Sequence, residues 1–216
     1  MTFGRAKGQR GVSMVELLVG MVILAVVSTA IIMAWIVLQG SFTNSARSSE
    51  QREAARDGIS LLAREVRDVQ PLALSSSTPA IVSAQPYSIS FYTTFHDEDA
   101  ASATAGVDLV QYSIPLNTSD PDRPDTRTLY RKIGDGPWRV VVSDVMNGKD
   151  GKPLFGYTYF TEAGSLTATP MDSVASGLTD RIVNIRVRLI VDLNPGKSPT
   201  EMELTTTVQP RNLRST

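Results

Sequence analysis

One stretch of the sequence limits the possible folds more than any other. Residues 17–38 are LLVGMVILAVVSTAIIMAWIVL, 22 residues without a charge or a proline. An α-helix needs roughly 20 apolar residues to cross the hydrocarbon core of a bilayer. The eleven residues at the start of the sequence, MTFGRAKGQRG, contain Arg5, Lys7 and Arg10 and no acid. Because basic flanks stay in the cytoplasm, the pattern predicts one membrane-spanning helix with the rest of the chain outside.

Two other interpretations of this segment are open. A secretory signal peptide would use Ser28, Thr29 and Ala30 as its small-residue cleavage site and release a soluble product beginning near Ile31. However, the apolar run continues through IIMAWIVL, where a signal peptide would turn polar before the cut. A permanent signal anchor explains the length and the basic flank, but it does not explain Glu16.

Glu16 lies directly before the apolar run. A carboxylate at the centre of a membrane helix costs roughly 2.5–3.5 kcal/mol on insertion scales, and less near an end. Taken alone, Glu16 is compatible with an interfacial position facing headgroups and water. Its context is more specific, because RGVSMVELLVGMVIL (residues 10–24) resembles the prepilin N-terminus shared by type IV pilins and type II secretion pseudopilins.

This resemblance implies a set of processing and assembly residues. In that family a membrane peptidase cuts after a glycine that ends a short basic leader, and the fifth mature residue is glutamate. Gly11 matches that glycine, Val12 the new N-terminus and Glu16 the glutamate. The first mature residue of the family is usually phenylalanine, often N-methylated. Val12 departs from this pattern, so the resemblance implies cleavage more strongly than N-methylation of Val12. The resemblance further implies that the Glu16 carboxylate neutralises the Val12 amine of the same or a neighbouring subunit in a low-dielectric setting.

The resemblance also implies partners and a location. The partners are the prepilin peptidase, other pilin or pseudopilin subunits, an inner-membrane assembly platform and membrane lipid. The chain is expected to begin as a single-pass protein of the cytoplasmic membrane, with its leader inside and its C-terminal domain outside. It is then expected in a pilus or pseudopilus, in the periplasm or at the cell surface.

Beyond the apolar run, the sequence predicts a second helical part. Residues 39–49 are rich in poor helix formers and are expected to bend or melt locally. The next segment is amphipathic and is expected to end before Pro71, because the residue before a proline disfavours the α region. Its predicted buried face consists of Ile59, Leu62, Ala63, Val66 and Val69, and its solvent face of Arg56, Asp57, Ser60, Arg64 and Arg67.

The remainder predicts β-strands. Alternating apolar and polar residues, divided by Gly, Pro, Asn and Asp, mark strands at residues 87–93, 107–114, 127–133, 138–145 and 154–161. DRIVNIRVRLIVD and MELTTTVQP predict a half-buried antiparallel hairpin. The buried face of this hairpin is predicted to hold Val183, Ile185, Val187, Leu189, Val191, Met202, Leu204, Thr206 and Val208, and its water face Asn184, Arg186, Arg188 and Asp192.

The predicted fold class is therefore α+β. A long N-terminal α-helix, with a transmembrane first half and an amphipathic second half, packs on a C-terminal antiparallel β-sheet in a pilin-like fold. The expected division is a leader at 1–11, a membrane or filament-core helix at 12–38, an amphipathic helix at 39–70 and an extracytoplasmic β-domain at 71–216.

Catalytic and metal sites find little support in the composition. The chain has no cysteine, which excludes disulfides, thiolate zinc sites and cysteine nucleophiles. The one histidine, His96, stands beside three acids in HDED, and the SDPDRPDT segment contributes Asp120, Asp122 and Asp125. Neither segment has a recognisable calcium-loop spacing, and DVMNGKDGKP is expected to be a turn. We therefore predict no metal, no cofactor and no enzymatic activity.

The charge balance does not indicate nucleic-acid binding. The net charge is −1, and removal of the leader leaves 18 Lys and Arg against 22 Asp and Glu. Arg186, Arg188, Arg211 and Arg214 would be the local basic face to test in a DNA-uptake filament, although a solvated sheet face is the simpler expectation.

The C-terminal hairpin followed by QPRN resembles the ending of minor pilins of the PulJ/PilW kind, with Arg211 and Asn212 as the R-N pair. The sequence thus predicts a minor pilin or pseudopilin. The alternative is a membrane-anchored extracytoplasmic binding domain that does not assemble, and the kind of filament stays open.

Overall fold

A computed structural model describes residues 13–71, 78–94, 107–116, 126–193 and 201–211 of the chain. The chain divides into two compact units, Met1–Ala46 and Arg47–Thr216. The elements are helix α1 (Met14–Arg67), strands β1 (Ile81–Ala84), β2 (Ser88–Thr93), β3 (Asp108–Ser113), β4 (Arg127–Ile133), β5 (Arg139–Val145), β6 (Phe155–Tyr159), β7 (Ile182–Asp192) and β8 (Glu201–Val208), and 3₁₀ helices Lys149–Gly151 and Ser176–Arg181. We call residues 14–46 of α1 the apolar segment and residues 47–67 the packing segment.

The apolar segment is helical throughout. The expectation that residues 39–49 melt is wrong, because they continue α1 without a break. Two threonine hydroxyls in this segment donate hydrogen bonds to the backbone. Thr29 Oγ1 donates to the carbonyl of Ala25, and Thr43 Oγ1 donates to the carbonyl of Gln39, each at 2.8 Å. Such bonds to the carbonyl four residues earlier satisfy a hydroxyl within the helix, although they slightly destabilise it.

The packing segment carries the predicted buried face. Leu62 and Val66 have no exposed surface, and Ile59 and Ala63 are half-buried against the same core. Val69, predicted on the same helix face, is also completely buried but lies beyond the end of α1. The predicted solvent face is exposed along its whole length. The helix ends at Arg67, four residues before Pro71, because the chain has already turned to the sheet: Val69 forms a bridge with Thr93 of β2.

The eight described strands form one antiparallel sheet in the order β1-β2-β3-β4-β5-β7-β6, with β8 paired to β7. All strands predicted from the sequence are present, with ends shifted by at most two residues. The sequence prediction missed only β1, a four-residue strand whose pairing with β2 contains a register shift. Such a short strand does not hold enough residues to display an alternation.

The predicted hairpin is β7 and β8, which pair from Ile185↔Val208 to Asp192↔Glu201. The buried face is confirmed at Ile185, Val187, Leu189 and Val191. Two positions differ. At the start of β7, Ile182 is buried and Val183 only half-buried, since a register shift in the β6–β7 pairing offsets this end of the strand.

Asp192 is the second difference. It was predicted on the water face but is only 5% exposed. Asp192 lies at the end of β7 where the strand is paired on both edges, with β8 through Glu201 and, one residue earlier, with β5 through Val145.

The core of the second unit lies between the packing segment and the sheet. The stacked rings of Phe91 and Tyr112, with centroids 6.4 Å apart, are among its largest buried groups. The predicted turn at residues 144–153 is confirmed and is fixed from inside by the buried Asn147. Its amide donates to the carbonyl of Arg188 at 2.7 Å and its oxygen accepts from the amide of Ile190 at 2.9 Å.

Candidate functional site

The first turn of α1 contains a reciprocal cap. Ser13 precedes the helix, and its Oγ accepts a hydrogen bond from the backbone amide of Val15 at 3.3 Å. In return, Glu16 Oε2 accepts from the backbone amide of Ser13 at 3.4 Å. The serine–glutamate spacing is that of a capping box, although the Ser13 oxygen accepts from the second amide of the helix and not from the third. Both bonds are longer than the common 2.9–3.0 Å, so the cap is a loose one.

The cap gives Glu16 a position that the sequence prediction did not specify. The carboxylate lies at the N-terminal end of the helix, where the unpaired amides favour a negative charge. The Ser13-x-x-Glu16 spacing was the available signal for this arrangement, and our reading of the sequence used only Glu16. Gly11 and Val12 lie outside the described residues, so the cleavage site and the pairing of Glu16 with the Val12 amine stay predictions.

The apolar segment of α1 has no cover within the described chain. Its side chains from Met14 to Phe42 are exposed, including Trp35 at 62% and Phe42 at 73%. Within the ranges the structure describes, α1 is the one helix long and apolar enough to cross a membrane. A continuous apolar surface of this extent needs lipid or other apolar helices around it. The segment fits a single-pass anchor near the N-terminus.

A second carboxylate of α1 has the opposite environment. Glu65 in the packing segment is completely buried and points to the sheet. Its Oε1 accepts a hydrogen bond from Arg131 Nη2, and its Oε2 accepts from Arg131 Nε at 3.2 Å and from the hydroxyl of Tyr112. Arg131 lies on β4 and Tyr112 on β3, so three elements meet at this cluster.

The Glu65 cluster fixes the packing segment on the sheet. A buried charge is tolerated only when it is paired and hydrogen-bonded, and here the fork of Arg131 meets both carboxylate oxygens. Burial raises the pKa of the Tyr112 hydroxyl well above its ordinary value, and the neighbouring Glu65 carboxylate raises it further. Tyr112 therefore remains a neutral hydrogen-bond donor to Glu65.

The packing segment lies close to strand β5 at Gly58. A Cβ atom at this position would lie 2.4 Å from Cγ2 of Val142 on β5, far inside van der Waals contact. Near it, Gln51 Nε2 donates to Oδ2 of the buried Asp144 at 3.0 Å. Gly58 had no evident role in the sequence, and the structure supplies one: glycine allows the helix to lie this close to β5.

The predicted basic face is partly neutralised. Arg188 of β7 forms a two-pronged ion pair with Glu203 of β8, with Nε and Nη2 at 2.8 and 2.7 Å from the carboxylate oxygens. Hydrogen bonding to Arg188 lowers the pKa of the Glu203 carboxyl. Arg186 is half-buried, Arg211 is exposed and Arg214 lies outside the described residues. This surface is therefore a mixed one and gives no support for nucleic-acid binding.

The two acidic segments of the sequence lie outside the part of the chain that the structure describes. They contain His96 to Asp99, and Asp120, Asp122 and Asp125. In the part of the chain that is described, no three His, Asp or Glu side chains come together as a metal site would require.

Open grooves lie along the packing segment. The larger of the two grooves described has a volume of about 590 Å³ and is lined by residues of α1, β4 and β5. The smaller, which we call the β8 groove, has a volume of about 360 Å³. Its lining residues are Ile59, Ser60, Ala63, Arg64, Arg67 and Thr206.

The comparison with known families finds one match. The family model described as the prokaryotic N-terminal methylation motif matches residues 6–32, which include Gly11, Val12 and Glu16. The match supports a precursor of the type IV pilin family, and it implies processing by prepilin peptidase and assembly with other pilins. It suggests a structural rather than an enzymatic protein. No curated protein matches the chain.

Proposed function

We propose that this chain is a minor pilin or pseudopilin, a structural subunit of a type IV pilus or a type II secretion pseudopilus. The observation that carries the proposal is the methylation-motif match over residues 6–32, on a helix whose apolar side chains have no cover within the described chain. The folded α+β unit that follows is consistent with a subunit that presents a domain outside the membrane.

In this proposal each segment has one task. Leader residues 1–11 stay in the cytoplasm, and prepilin peptidase cuts between Gly11 and Val12. The helix of residues 12–38 first spans the cytoplasmic membrane and then joins the filament core. Residues 39–70 carry the β-domain of residues 71–216. The platform in the inner membrane moves the subunit from lipid into the filament.

Glu16 is the assembly residue in this proposal. Its carboxylate neutralises the free or N-methylated amine of Val12 on a neighbouring subunit, because an unpaired charge among apolar helices is costly. The capping contact with Ser13 is compatible with this role, since it is loose and the carboxylate remains exposed.

The subtype rests on a narrower observation. The ending QPRN resembles minor pilins of the PulJ/PilW kind, and the Arg211 amide donates to the carbonyl of Arg67, the last residue of α1, at 3.1 Å. The ending would thus close the domain against the helix that carries it. Subunits of a secretion pseudopilus, an adhesion or motility pilus and a DNA-uptake filament would all use this arrangement.

The second candidate is a membrane-anchored domain that binds a ligand and never assembles. Substitution of Glu16→Ala separates the two, because an anchor tolerates the loss of a charge. The matched control is Glu50→Ala, which removes an exposed glutamate of the same helix. We expect Glu16→Ala to insert into the membrane but be missing from the filament fraction, and Glu50→Ala to behave like the wild type. Equal incorporation of both variants would favour the anchored domain.

A further inference from the structure

Strand β8 lies at an edge of the sheet that the described residues form. Among the residues that the structure describes, β8 pairs with β7 alone, over the eight positions Glu201–Val208. Eight residues in a strand extend over roughly 27 Å. An edge of this length offers a row of backbone donors and acceptors to another extended segment, and proteins usually protect such edges.

The two faces of β8 differ in chemistry. Met202, Leu204 and Thr206 are half-buried on the core side, while Glu203, Thr205 and Thr207 are exposed on the other side. Glu203 is engaged by Arg188 on this outer face. The acids of β8 therefore point away from the β8 groove, which its Thr206 lines.

The β8 groove combines an apolar floor with a basic rim. Ile59 and Ala63 are half-buried and contribute apolar surface, while the exposed Arg67 contributes a cation. Among the described residues, no acid lines this groove. A segment that suits it therefore has apolar side chains on one face and a carboxylate near Arg67.

We propose that the β8 groove receives an extended, acidic segment of a different, neighbouring filament subunit, which adds to β8 as a further strand. Its backbone pairs with the edge of β8, alternate apolar side chains lie against Ile59 and Ala63, and a carboxylate reaches Arg67. This is recognition by strand addition, in which backbone pairing gives affinity and alternate side chains give specificity. The proposal rests on the proposed function, because the partner is a filament subunit.

The orientation of the helix argues against a second copy paired through its own β8. Antiparallel pairing of two identical strands requires a two-fold axis perpendicular to the sheet. That axis would reverse the direction of the packing segment, which lies on the sheet. Subunits of one filament share a polarity, so a symmetric β8–β8 pair of two copies does not fit the proposed filament, and we assign the groove to a different subunit.

Two tryptophan variants of the full chain test the groove in cells that assemble the filament. Thr206→Trp places an indole in the β8 groove, and the matched control Thr207→Trp places it on the outer face of the same strand. We expect recovery of Thr206→Trp in the filament fraction to be about tenfold lower than that of Thr207→Trp, the size of effect typical of a central interface contact. Equal recovery would overturn the proposal.

A labelling experiment tests the same contact without blocking it. The chain has no cysteine, so Thr206→Cys and Thr207→Cys each provide a unique thiol. We expect a maleimide reagent to label Thr206→Cys in unassembled Glu16→Ala protein but not in filaments, and to label Thr207→Cys in both. Labelling of Thr206→Cys in filaments as fast as in unassembled protein would contradict the proposal even if Thr206→Trp failed to fold.

The remaining outcomes distinguish the two proposals. If the wild type is cut after Gly11 and found in filaments while the Thr206 variants behave like their controls, the proposed function stands and the groove proposal fails. If the wild type never enters filaments, both fail. A disulfide-linked dimer of Thr206→Cys would assign the groove to a second copy and overturn the assignment to a different subunit.

Discussion

The apolar segment and the packing segment belong to one helix but bury their apolar residues by different means. In the packing segment, Leu62 and Val66 are completely covered by the sheet of the same chain. In the apolar segment, residues as large as Leu24 and Trp35 remain more than 60% exposed. The first region is completed by its own fold, whereas the second is completed only by lipid or by other helices.

The two glutamates follow the same division. Glu65 is buried and satisfied within the chain by Arg131 and Tyr112. Glu16 is exposed and has only the loose contact with the amide of Ser13. We therefore expect substitutions around Glu65 to change folding, and substitutions of Glu16 to change assembly while leaving the fold intact.

The largest effect is expected from Glu65→Ala. Removing one partner of a buried ion pair leaves Arg131 uncompensated and commonly costs about 3–5 kcal/mol. Denaturant unfolding of the detergent-solubilised chain, followed by near-ultraviolet circular dichroism, measures this loss. Glu53→Ala, at an exposed position of the same helix, should stay within about 0.5 kcal/mol of the wild type. Similar midpoints for the two variants would remove the distinction between the regions.

The next effect concerns glycines in the two segments. Gly58→Ala places a methyl group 2.4 Å from Val142 and should lower the free energy of unfolding by about 1–3 kcal/mol. At Gly40 nothing lies within 4 Å, so Gly40→Ala should not destabilise the protein. Thermal melts of the two variants provide the comparison. A melting temperature of Gly58→Ala equal to that of the wild type would mean that the helix and the sheet are not in close contact at this position.

Alkaline pH should weaken the second unit. Burial raises the pKa of both Tyr112 and Tyr157 well above the ordinary 10.0. Above about pH 10 the unfolded tyrosines lose their protons while the folded ones keep them, so stability falls as pH rises, by roughly 1.4 kcal/mol per pH unit for each group. Tyr112→Phe should reduce this slope in denaturant titrations between pH 9 and 11, a range chosen around the ordinary pKa of about 10. A slope equal to that of the wild type would rule out Tyr112 as a contributor.

The smallest effect should come from Ser13→Ala. Loss of an N-cap side chain costs typically about 1 kcal/mol, and here the contacts are long. We expect faster amide exchange in the first turn of α1 and no change at Leu62 or Val66, measured by hydrogen exchange in micelles. A change of exchange in the packing segment would show that the two regions are coupled.

The sequence predicted those features whose signal is local. The apolar run, the Gly11 and Glu16 spacing, the buried stripe of α1 and the alternation in β7 each lie within one segment of chain. The Glu65 cluster was not predictable, because Glu65 is 47 residues from Tyr112 and 66 from Arg131. Gly58 was missed for a similar reason, since the requirement for glycine comes from Val142 on a distant strand.

Two further misses have physical causes. The helix was expected to weaken at residues 39–49 because these residues are poor helix formers. Helix propensity is only a weak prior, and α1 continues there with the Thr43 side chain bonded to the backbone. Asp192 was assigned to water by strict alternation, but it is buried at the end of β7, where the strand is paired on both edges. Alternation along one strand carries no information about what neighbouring elements cover.

The central claim is that this chain is made as a precursor and cut between Gly11 and Val12 before assembly. Its most direct test is the intact mass of the protein recovered from membranes of cells with and without prepilin peptidase. We predict that the protein from cells with the peptidase is lighter by the mass of residues 1–11. If Val12 is methylated, the mass of one methyl group is added to the cleaved chain. Retention of residues 1–11 in both preparations would contradict the account.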